Sequence, residues 1–279
     1  MNTFSIKSVF KNIPDTQIAR REMKQLLGNQ DIFPYPKPVE LIKTLVKLST
    51  QNDDIIMDFF SGAATTAHAV MEQNAEDLMS RRFILIQLEE PCQQNTEAYR
   101  CNYKNICDIG KERIRKAGEN IKQKYPNSVT DIGFKVFKVA DTNIKWNSNT
   151  DMGQLNITQI ENNLDLIDFM PNCKDRDIVY ELMLRQRDLP LSESLVQVLE
   201  IGKRTYLYAS SYLVCLETEI TEELVSKLSE IDPLPIKFIF RDSAFKDDIS
   251  LKDETFRRLK ALIEKNAGTN KPAYTVEFI

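Results

Sequence analysis

The chain has 279 residues, of which 42% are hydrophobic, so it is long enough to bury one or two cores. The net charge is −4: residues 1–140 carry 20 Lys and Arg against 17 Asp and Glu, whereas residues 141–279 carry 17 against 24. A protein that holds DNA unaided usually has a stronger basic surface, so charge alone gives no sign of a DNA-binding face.

The cysteine and histidine content argues against disulfide and metal chemistry. There are five cysteines, an odd number, and no CxxC pair. The one histidine, His68, lies in a predicted helix and leaves little for a zinc site or a His-based triad. No apolar run is long enough to cross a bilayer, and the N-terminus lacks a secretory pattern. We therefore expect a reduced, cytoplasmic protein without a metal.

Residues 1–32 contain too few apolar residues for a core of their own. One helix is predicted, Thr16–Leu27, and the Gly28-Asn29 pair is typical of a helix end. We interpret this segment as a linker arm or the tail of a preceding region.

Residues 33–140 alternate between strand and helix patterns. Three prolines keep the segment Phe33–Pro38 extended, and a helix follows from Val39. The elements predicted next are the strand Ile55–Phe60, a helix from Ala64 to Asn74, the strand Phe83–Leu88, the helix Asn105–Lys124 and the strand Gly133–Val139. The first two strands are apolar on both faces, which is typical of a parallel sheet built from βαβ units.

A domain boundary is predicted in the polar segment 141–153, which contains the only tryptophan. The elements predicted beyond it are a helix ending at Leu182–Arg187, strands Val196–Ile201 and Thr205–Cys215, a helix Glu222–Glu230, a strand Ile236–Phe240, a helix Leu251–Asn266 and a strand Tyr274–Ile279. Residues 141–279 should therefore form a second, smaller α/β domain.

The segment Asp58–Thr66 carries the main functional signal, because it joins a strand ending in an acid to a helix through a turn of small residues. Backbone N–H groups and a helix N-terminus can close around a ligand there. Gly62 allows a positive φ or a close approach of a ligand. Thr65 and Thr66 offer hydroxyls that could cap the helix or touch a ligand carboxylate. Taken alone, the pattern also fits a strand–turn–helix that binds nothing.

Three segments in order, Phe33–Pro38, Asp58–Thr66 and Arg82–Glu89, resemble motifs X, I and II of β-class amino-methyltransferases. The likeness is greatest to the modification (Mod) subunit of type III restriction-modification systems. It extends along nearly the whole chain, through blocks such as Asp108–Ile114 and Asp242–Lys246. It implies an α/β fold: an incomplete, Rossmann-like S-adenosylmethionine-dependent methyltransferase sheet in residues 33–140, followed by the smaller domain.

The resemblance also implies a binding site for S-adenosylmethionine. The residues implied in that site are Phe33, Pro36, Lys37, Pro38, Asp58, Phe59, Phe60, Ser61, Gly62, Thr65, Thr66, Gln87 and Glu89. Two departures from the family pattern stand out. Ala63-Ala64 replaces Ser-Gly, so we expect the helix to begin earlier, and Gln87 stands where an acid usually binds the ribose hydroxyls.

The chain lacks the [D/N]PP[Y/F] loop that holds the target amine in the family. The most similar segment, Asp232-Pro-Leu-Pro235, is predicted to be a turn. We therefore interpret the chain as the carboxyl half of a DNA adenine methyltransferase, inactive alone, with no catalytic residue of its own. The resemblance implies three partners: DNA, which would bind through the amino half, a second Mod subunit and the restriction (Res) subunit. An assembly module with a vestigial donor site is the alternative, and a methyltransferase acting on RNA or a small molecule is disfavoured by the Phe33–Pro38 segment.

Overall fold

The computed structural model describes residues 14–28, 31–146, 165–246, 248–267 and 273–279. The chain divides into two compact units, one up to Phe134 and one from Lys135. Both units mix helices with a small sheet, so the expected α/β class is confirmed. Within the described residues, no helix is both long and apolar enough to span a membrane.

The first unit consists of a two-stranded sheet and five helices among its described residues. Its elements are α1 (Thr16–Leu26), α2 (Val39–Ser49), β1 (Ile55–Asp58), α3 (Thr65–Asp77), β2 (Arg82–Leu85), α4 (Glu97–Arg100) and α5 (Ile106–Lys124). Strands β1 and β2 are parallel, with Ile55 opposite Arg82 and Asp58 opposite Leu85, and α3 forms the crossover between them.

One face of this sheet is covered and the other is open. Phe83 and Leu85 pack against the core formed by α3 and α5. The alternate residues lie on the opposite face and remain exposed: Ile55, Met57 and Ile84 are 51%, 57% and 43% exposed. Both faces of these strands were predicted to be buried. That prediction is wrong for the face that carries Ile55, Met57 and Ile84.

Helix α1 packs onto the first unit through its buried Ala19 and Met23. Its N-cap, Asp15, accepts a hydrogen bond from the N–H of Ile18, and its end at Leu27 is followed by Gly28 with φ +74°. Met23 belongs to the same cluster as Ala63 of the turn between β1 and α3. The first helix therefore lies beneath that turn.

Four predicted elements of the first region differ from the structure. The two strands end earlier than expected, at Asp58 and Leu85; directly after β1, the Asp58 carboxylate accepts the N–H of Phe60 and the chain enters a turn. Helix α3 continues to Asp77, past the predicted end at Asn74. Residues 133–139 form no strand, since they have no ladder partner among the described residues. Instead, Lys135 Nζ donates to the Leu191 carbonyl and to the Tyr180 hydroxyl.

The second unit is a five-stranded sheet with helices packed on it. Its elements are α6 (Asp165–Asp168), α7 (Asp175–Gln186), β3 (Leu195–Gln197), β4 (Thr205–Tyr208), β5 (Tyr212–Cys215), α8 (Glu222–Ser229), β6 (Lys237–Phe240), a 3₁₀ turn (Asp242–Phe245), α9 (Ile249–Ala267) and β7 (Thr275–Phe278). The strands follow chain order, antiparallel from β3 to β5 and parallel from β5 to β7.

Two separate cores form on this sheet, one including Ile178 and Leu182 of α7 and the other Leu224 of α8 and Leu259 of α9. The predicted single strand Thr205–Cys215 is wrong. Ala209 and Ser210 both have positive φ and reverse the chain within the three residues that separate the paired Tyr208 and Tyr212, so that β4 and β5 form a hairpin. Alanine and serine carry none of the usual signals of such a turn, which explains the error. Part of the predicted boundary, residues 147–153, lies outside the described residues.

Candidate functional site

Asp58 ends β1, and its carboxylate organises the turn that follows. Oδ2 accepts a 2.5 Å hydrogen bond from Thr66 Oγ1 in the first turn of α3, and Oδ1 accepts one of 3.2 Å from the N–H of Phe60. The carboxylate is half-buried. It therefore bridges the strand end and the helix start while part of it remains open to a ligand.

The β1–α3 turn, residues 59–64, combines exposed aromatic rings with a constrained backbone. Phe59 and Phe60 are 62% and 82% exposed, and their ring centroids are 5.3 Å apart. The turn is fixed to β2 by a 3.2 Å bond from the Ser61 N–H to the Ile86 carbonyl. Gly62 has φ +51°, as its residue type allows.

Ala64 shows that the expected early start of α3 is wrong. It has φ +59° and ψ +41°, in the left-handed region, and the helix begins only at Thr65. Alanine is disfavoured in this conformation by about 1–2 kcal/mol, whereas glycine is not. Ala64 thus holds the turn at a cost in backbone strain.

Neither threonine after the turn caps the helix through its side chain, because the N-cap residue is Ala64. The Thr66 hydroxyl donates to Asp58, as described above. The Thr65 hydroxyl accepts a 2.6 Å bond from Arg113 Nη1 of α5, and the same nitrogen lies 3.3 Å from the Ala63 carbonyl. The contact of Arg113 with this turn could not be predicted from the sequence, because nothing in the local pattern of Arg113 links it to a residue 48 positions earlier.

Gln87 lies beside the turn, directly after β2. Its Oε1 accepts a 2.8 Å hydrogen bond from the Gly62 N–H, and its Nε2 donates to the Leu88 carbonyl at 3.2 Å. Glu89 is exposed two residues further on. The predicted motif II position is thus brought to the turn, with its amide oxygen already engaged by the backbone.

The proline-rich segment also reaches the turn. A Cβ built on Gly62 would lie 3.8 Å from Phe33 Cζ, and Phe33 packs on the cluster that contains Ala63. Pro36 and Pro38 are buried, whereas Lys37 between them is exposed. Segments that are 29 residues apart in the sequence therefore meet through Phe33 and Gly62.

A cleft of about 380 Å³ runs along the free edge of β1 beside α2. Its polar groups include Asp58 and Thr66, and its apolar wall includes Phe59, Phe60 and Leu45. Four of the predicted site residues thus line the cleft. The other nine predicted site residues do not line it: Phe33, Pro36, Lys37, Pro38, Ser61, Gly62, Thr65, Gln87 and Glu89.

A charged cluster joins the helices α2, α3 and α5. Lys43 of α2 is 6% exposed and pairs with Glu76 at 2.5 Å, and Lys124 of α5 pairs with Glu72 at 2.7 Å. His68 of α3 lies among them, with Nε2 3.8 Å from Glu72. Burial, followed by the charges of Arg113, Lys43 and Lys124, lowers the pKa of His68 to about 3. This histidine is therefore neutral at neutral pH.

Comparisons with known proteins agree with the motifs. Residues 5–98 match the DNA methylase family. The chain is 36% identical over 129 residues to the StyLTI Mod subunit of a type III restriction-modification enzyme from Salmonella typhimurium strain LT2, which covers 46% of this chain and 20% of that protein. It is 40% identical over 126 residues to the EcoPI Mod subunit of Escherichia phage P1, or 45% of this chain and 19% of that subunit.

A third relative, the EcoP15I Mod subunit of Escherichia coli, is 32% identical over 126 residues, or 45% of this chain and 18% of that subunit. The matches span about a fifth of each Mod subunit. They also cover just under half of this chain, less than the nearly full-length likeness that the motifs indicated. Over that part, the recognition of this chain as similar to the Mod subunits of type III restriction-modification enzymes is confirmed.

Proposed function

We propose that this chain is the methyl-donor-binding half of a DNA adenine methyltransferase of the Mod type. It would act with a second chain, or a further segment, that carries the [D/N]PP[Y/F] loop absent from residues 1–279. The observation that carries the proposal is the meeting of three motifs at one turn: Gly62 contacts Gln87 through a hydrogen bond and lies beside Phe33.

The chemistry of the turn suits S-adenosylmethionine. This donor has a cationic amine, a sulfonium centre and an aromatic base, and when bound it supplies an electrophilic methyl group. The Asp58 carboxylate offers a counter-charge, and the exposed rings of Phe59 and Phe60 offer surfaces for a base or a cation. A cleft of about 380 Å³ is within the range of small-molecule sites.

The remaining predicted residues would complete the donor site. Lys37, exposed between two buried prolines, would lie toward the methionine end together with Phe33. Gln87 would bind the ribose hydroxyls through its amide, and Glu89 is the nearest exposed acid for the same task. Ser61, Gly62 and Thr65 would contribute through the turn itself.

The open face of the β1–β2 sheet supports the idea of a missing half. We infer that β1 and β2 are the central pair of a Rossmann-like sheet whose other strands and covering helices come from the complementary half. Ile55, Met57 and Ile84 form an exposed apolar surface, and exposed apolar surface of this kind marks an interaction site.

Different parts of the chain would then have different roles. Residues 33–140 would form the donor-binding subdomain, residues 1–32 the linker from the target-recognition region, and residues 141–279 a domain that contacts other Mod or Res subunits. The net acidity of residues 141–279 favours an assembly role over a direct grip on DNA. Target DNA would be held by the complementary half.

A complementation assay tests the proposal. The chain alone should transfer no methyl group from S-adenosylmethionine to adenine in duplex DNA, and adding the amino half of a Mod subunit should restore transfer. Methylation by the chain alone would overturn the half-enzyme proposal. Failure of complementation by a half that demonstrably binds the chain would favour the alternative, an inactive assembly module.

Surface variants sharpen this assay. Ile84→Lys should block complementation because it places a charge on the open face outside the cleft, while costing the chain less than about 1 kcal/mol since Ile84 is already 43% exposed. Leu78→Lys is the matched control, because Leu78 is 76% exposed at the end of α3, the helix that packs on the covered face of the sheet. Equal complementation by both variants would argue against the proposed surface.

A further inference from the structure

Arg113 lies at the base of the β1–α3 turn and is one of the largest fully buried side chains of the described residues, at 2% exposed. It occupies the middle of α5, a helix whose other buried residues are apolar or glycine. Nη1 donates to Thr65 Oγ1 at 2.6 Å and to the Ala63 carbonyl at 3.3 Å. Both acceptors belong to the turn or to the first residue after it.

Burying a charged guanidinium in this position lowers the stability of the folded chain, because the charge loses its hydration. Burial lowers the pKa of Arg113 to about 10, with the charge of Glu22 acting in the opposite direction, so the side chain is still cationic at neutral pH. Its Nε has no hydrogen-bond partner among the described residues. A cation near the N-terminus of α3 also opposes the helix dipole. General core packing does not explain a charge retained under these conditions.

The contacts that Arg113 makes with the turn explain why a charged side chain is buried at this position. They fall on either side of Ala64, the residue that holds a left-handed conformation without being glycine. One helical turn before Arg113, Gly110 lets α5 approach the β1–α3 turn closely. A Cβ built on Gly110 would lie 3.4 Å from Ala64 Cβ and 3.5 Å from the Gly62 carbonyl oxygen. Helix α5 thus approaches the turn through Gly110 and holds it through Arg113.

We propose that Arg113 is a positioning residue that keeps the β1–α3 turn in its donor-binding conformation. The proposal rests on the proposed function, because it takes the turn to be the donor site. Glycine at the Ala64 position would need little support in this conformation, whereas Ala64 receives it from Arg113 through the Ala63 carbonyl and the Thr65 hydroxyl.

Amide hydrogen exchange followed by NMR tests the positioning role without any ligand. The N–H groups of Ser61, Gly62 and Ala64 donate to the Ile86 carbonyl, the Gln87 side chain and the Ser61 carbonyl, so their exchange reports opening of the turn. In Arg113→Lys their exchange should accelerate about tenfold, the equivalent of one lost hydrogen bond. The exchange of Ala117, in the same helix, should change much less.

Matched variants separate this effect from a general loss of stability. Arg115→Lys makes the same chemical change on the same helix at an exposed arginine and should leave turn exchange unchanged. Should Arg113→Lys fail to fold, Thr65→Val removes one acceptor isosterically and should also accelerate turn exchange, whereas Thr65→Ser should not. Unchanged turn exchange in the folded variants, or equal acceleration at Ala117, would overturn the proposal.

Titration of the same samples with S-adenosylmethionine supplies the functional readout. Arg113→Lys should weaken binding about tenfold relative to the parent chain, and Arg115→Lys should not change it. If the parent chain shows no binding even with a complementing half, the proposed function fails. The exchange data still test whether Arg113 stabilises the turn. If the parent binds and Arg113→Lys binds equally well, only the positioning role fails.

Discussion

Thr66 Oγ1 donates a 2.5 Å hydrogen bond to Asp58 Oδ2, joining the first turn of α3 to the last residue of β1. This bond ties together the two ends of the segment that contains the turn. Arg113 makes separate contacts inside that segment, with residues 63 and 65. A bond to a charged acceptor contributes about 1.5–3 kcal/mol, and partial exposure of Asp58 reduces this value.

Thr66→Val should therefore destabilise the chain by about 1–2 kcal/mol, because the carboxylate loses a donor without a replacement. Thr66→Ser keeps the hydroxyl and should cost less than about 1 kcal/mol. Urea denaturation of the three proteins measures the free energies of unfolding. Equal losses in the valine and serine variants would mean that the methyl group, and not the hydrogen bond, stabilises the turn.

The motifs around this turn could be predicted from the sequence, whereas its internal contacts could not. Asp58, Gly62, Thr66 and Gln87 are local signals, each tied to the end of a strand or the start of a helix. The Arg113–Thr65 contact joins positions 48 apart, and no local pattern encodes such a distance. Ala64 misleads directly, since alanine favours helix and yet here adopts the left-handed conformation.

The same distinction applies to the fold. The order of helices and strands follows hydrophobic period, and α5, α7 and α8 end close to the predicted residues. Strand pairing depends on partners that are distant in the chain. Residues 133–139 therefore alternate like a strand without joining a ladder in the described structure, and Tyr212 pairs back onto Tyr208 through a turn without glycine or asparagine.

Ala63 and Ala64 offer a matched pair for measuring the strain in the turn. Both are 2% exposed, but only Ala64 has a positive φ. Replacing either by glycine loses a buried methyl group, worth about 0.8 kcal/mol, and adds unfolded-state entropy worth about 0.4–1 kcal/mol. Only Ala64→Gly also relieves about 1–2 kcal/mol of left-handed strain.

We therefore expect Ala63→Gly to cost about 1–2 kcal/mol and Ala64→Gly to be nearly neutral. Chemical denaturation of both variants under identical conditions gives the difference, which isolates the backbone term. A loss in Ala64→Gly as large as that in Ala63→Gly would show that the left-handed conformation carries no penalty in this protein.

Gln87 provides a test of donor recognition. Glutamate at this position can still accept the Gly62 N–H, and it adds charge assistance to any bond with the ribose hydroxyls. Gln87→Glu should therefore bind S-adenosylmethionine more tightly, by about tenfold for about 1.4 kcal/mol. Gln87→Leu should bind it more weakly and lose about 1 kcal/mol of stability, because the Gly62 N–H loses its acceptor.

Calorimetric or NMR titration of the three proteins, each with the complementing half present, measures the order of affinities. The expected order is glutamate, glutamine, leucine. Identical affinities would remove Gln87 from the donor site while leaving its structural contact with Gly62 intact.

His68 should make the stability of the chain sensitive to acid. The imidazole is partly buried and is surrounded by Lys43 of α2, Arg113 and Lys124 of α5, and Glu72 of its own helix. Glu72 alone would favour a charged imidazole, but it already pairs with Lys124 and lies 3.8 Å from Lys43. Burial and the three cations therefore dominate, and the folded pKa is about 3 against an ordinary value of 6.5.

Because the folded pKa is depressed, the unfolded chain takes up a proton at His68 before the folded chain does. The free energy of unfolding should fall as the pH drops below about 6.5, and the loss should continue toward pH 3. Between pH 6.5 and 5 the His68 contribution is at most about 2 kcal/mol.

His68→Gln keeps a polar side chain of similar size that cannot titrate. Its loss of stability between pH 7.5 and 5 should therefore be smaller than that of the parent chain, and the difference between the two losses is the contribution of His68. Urea denaturation at both pH values measures it, and the carboxylates common to the two proteins cancel in the comparison. Parallel losses in the two proteins would show that the imidazole becomes charged in the folded state as readily as in the unfolded state, which the three neighbouring cations should prevent.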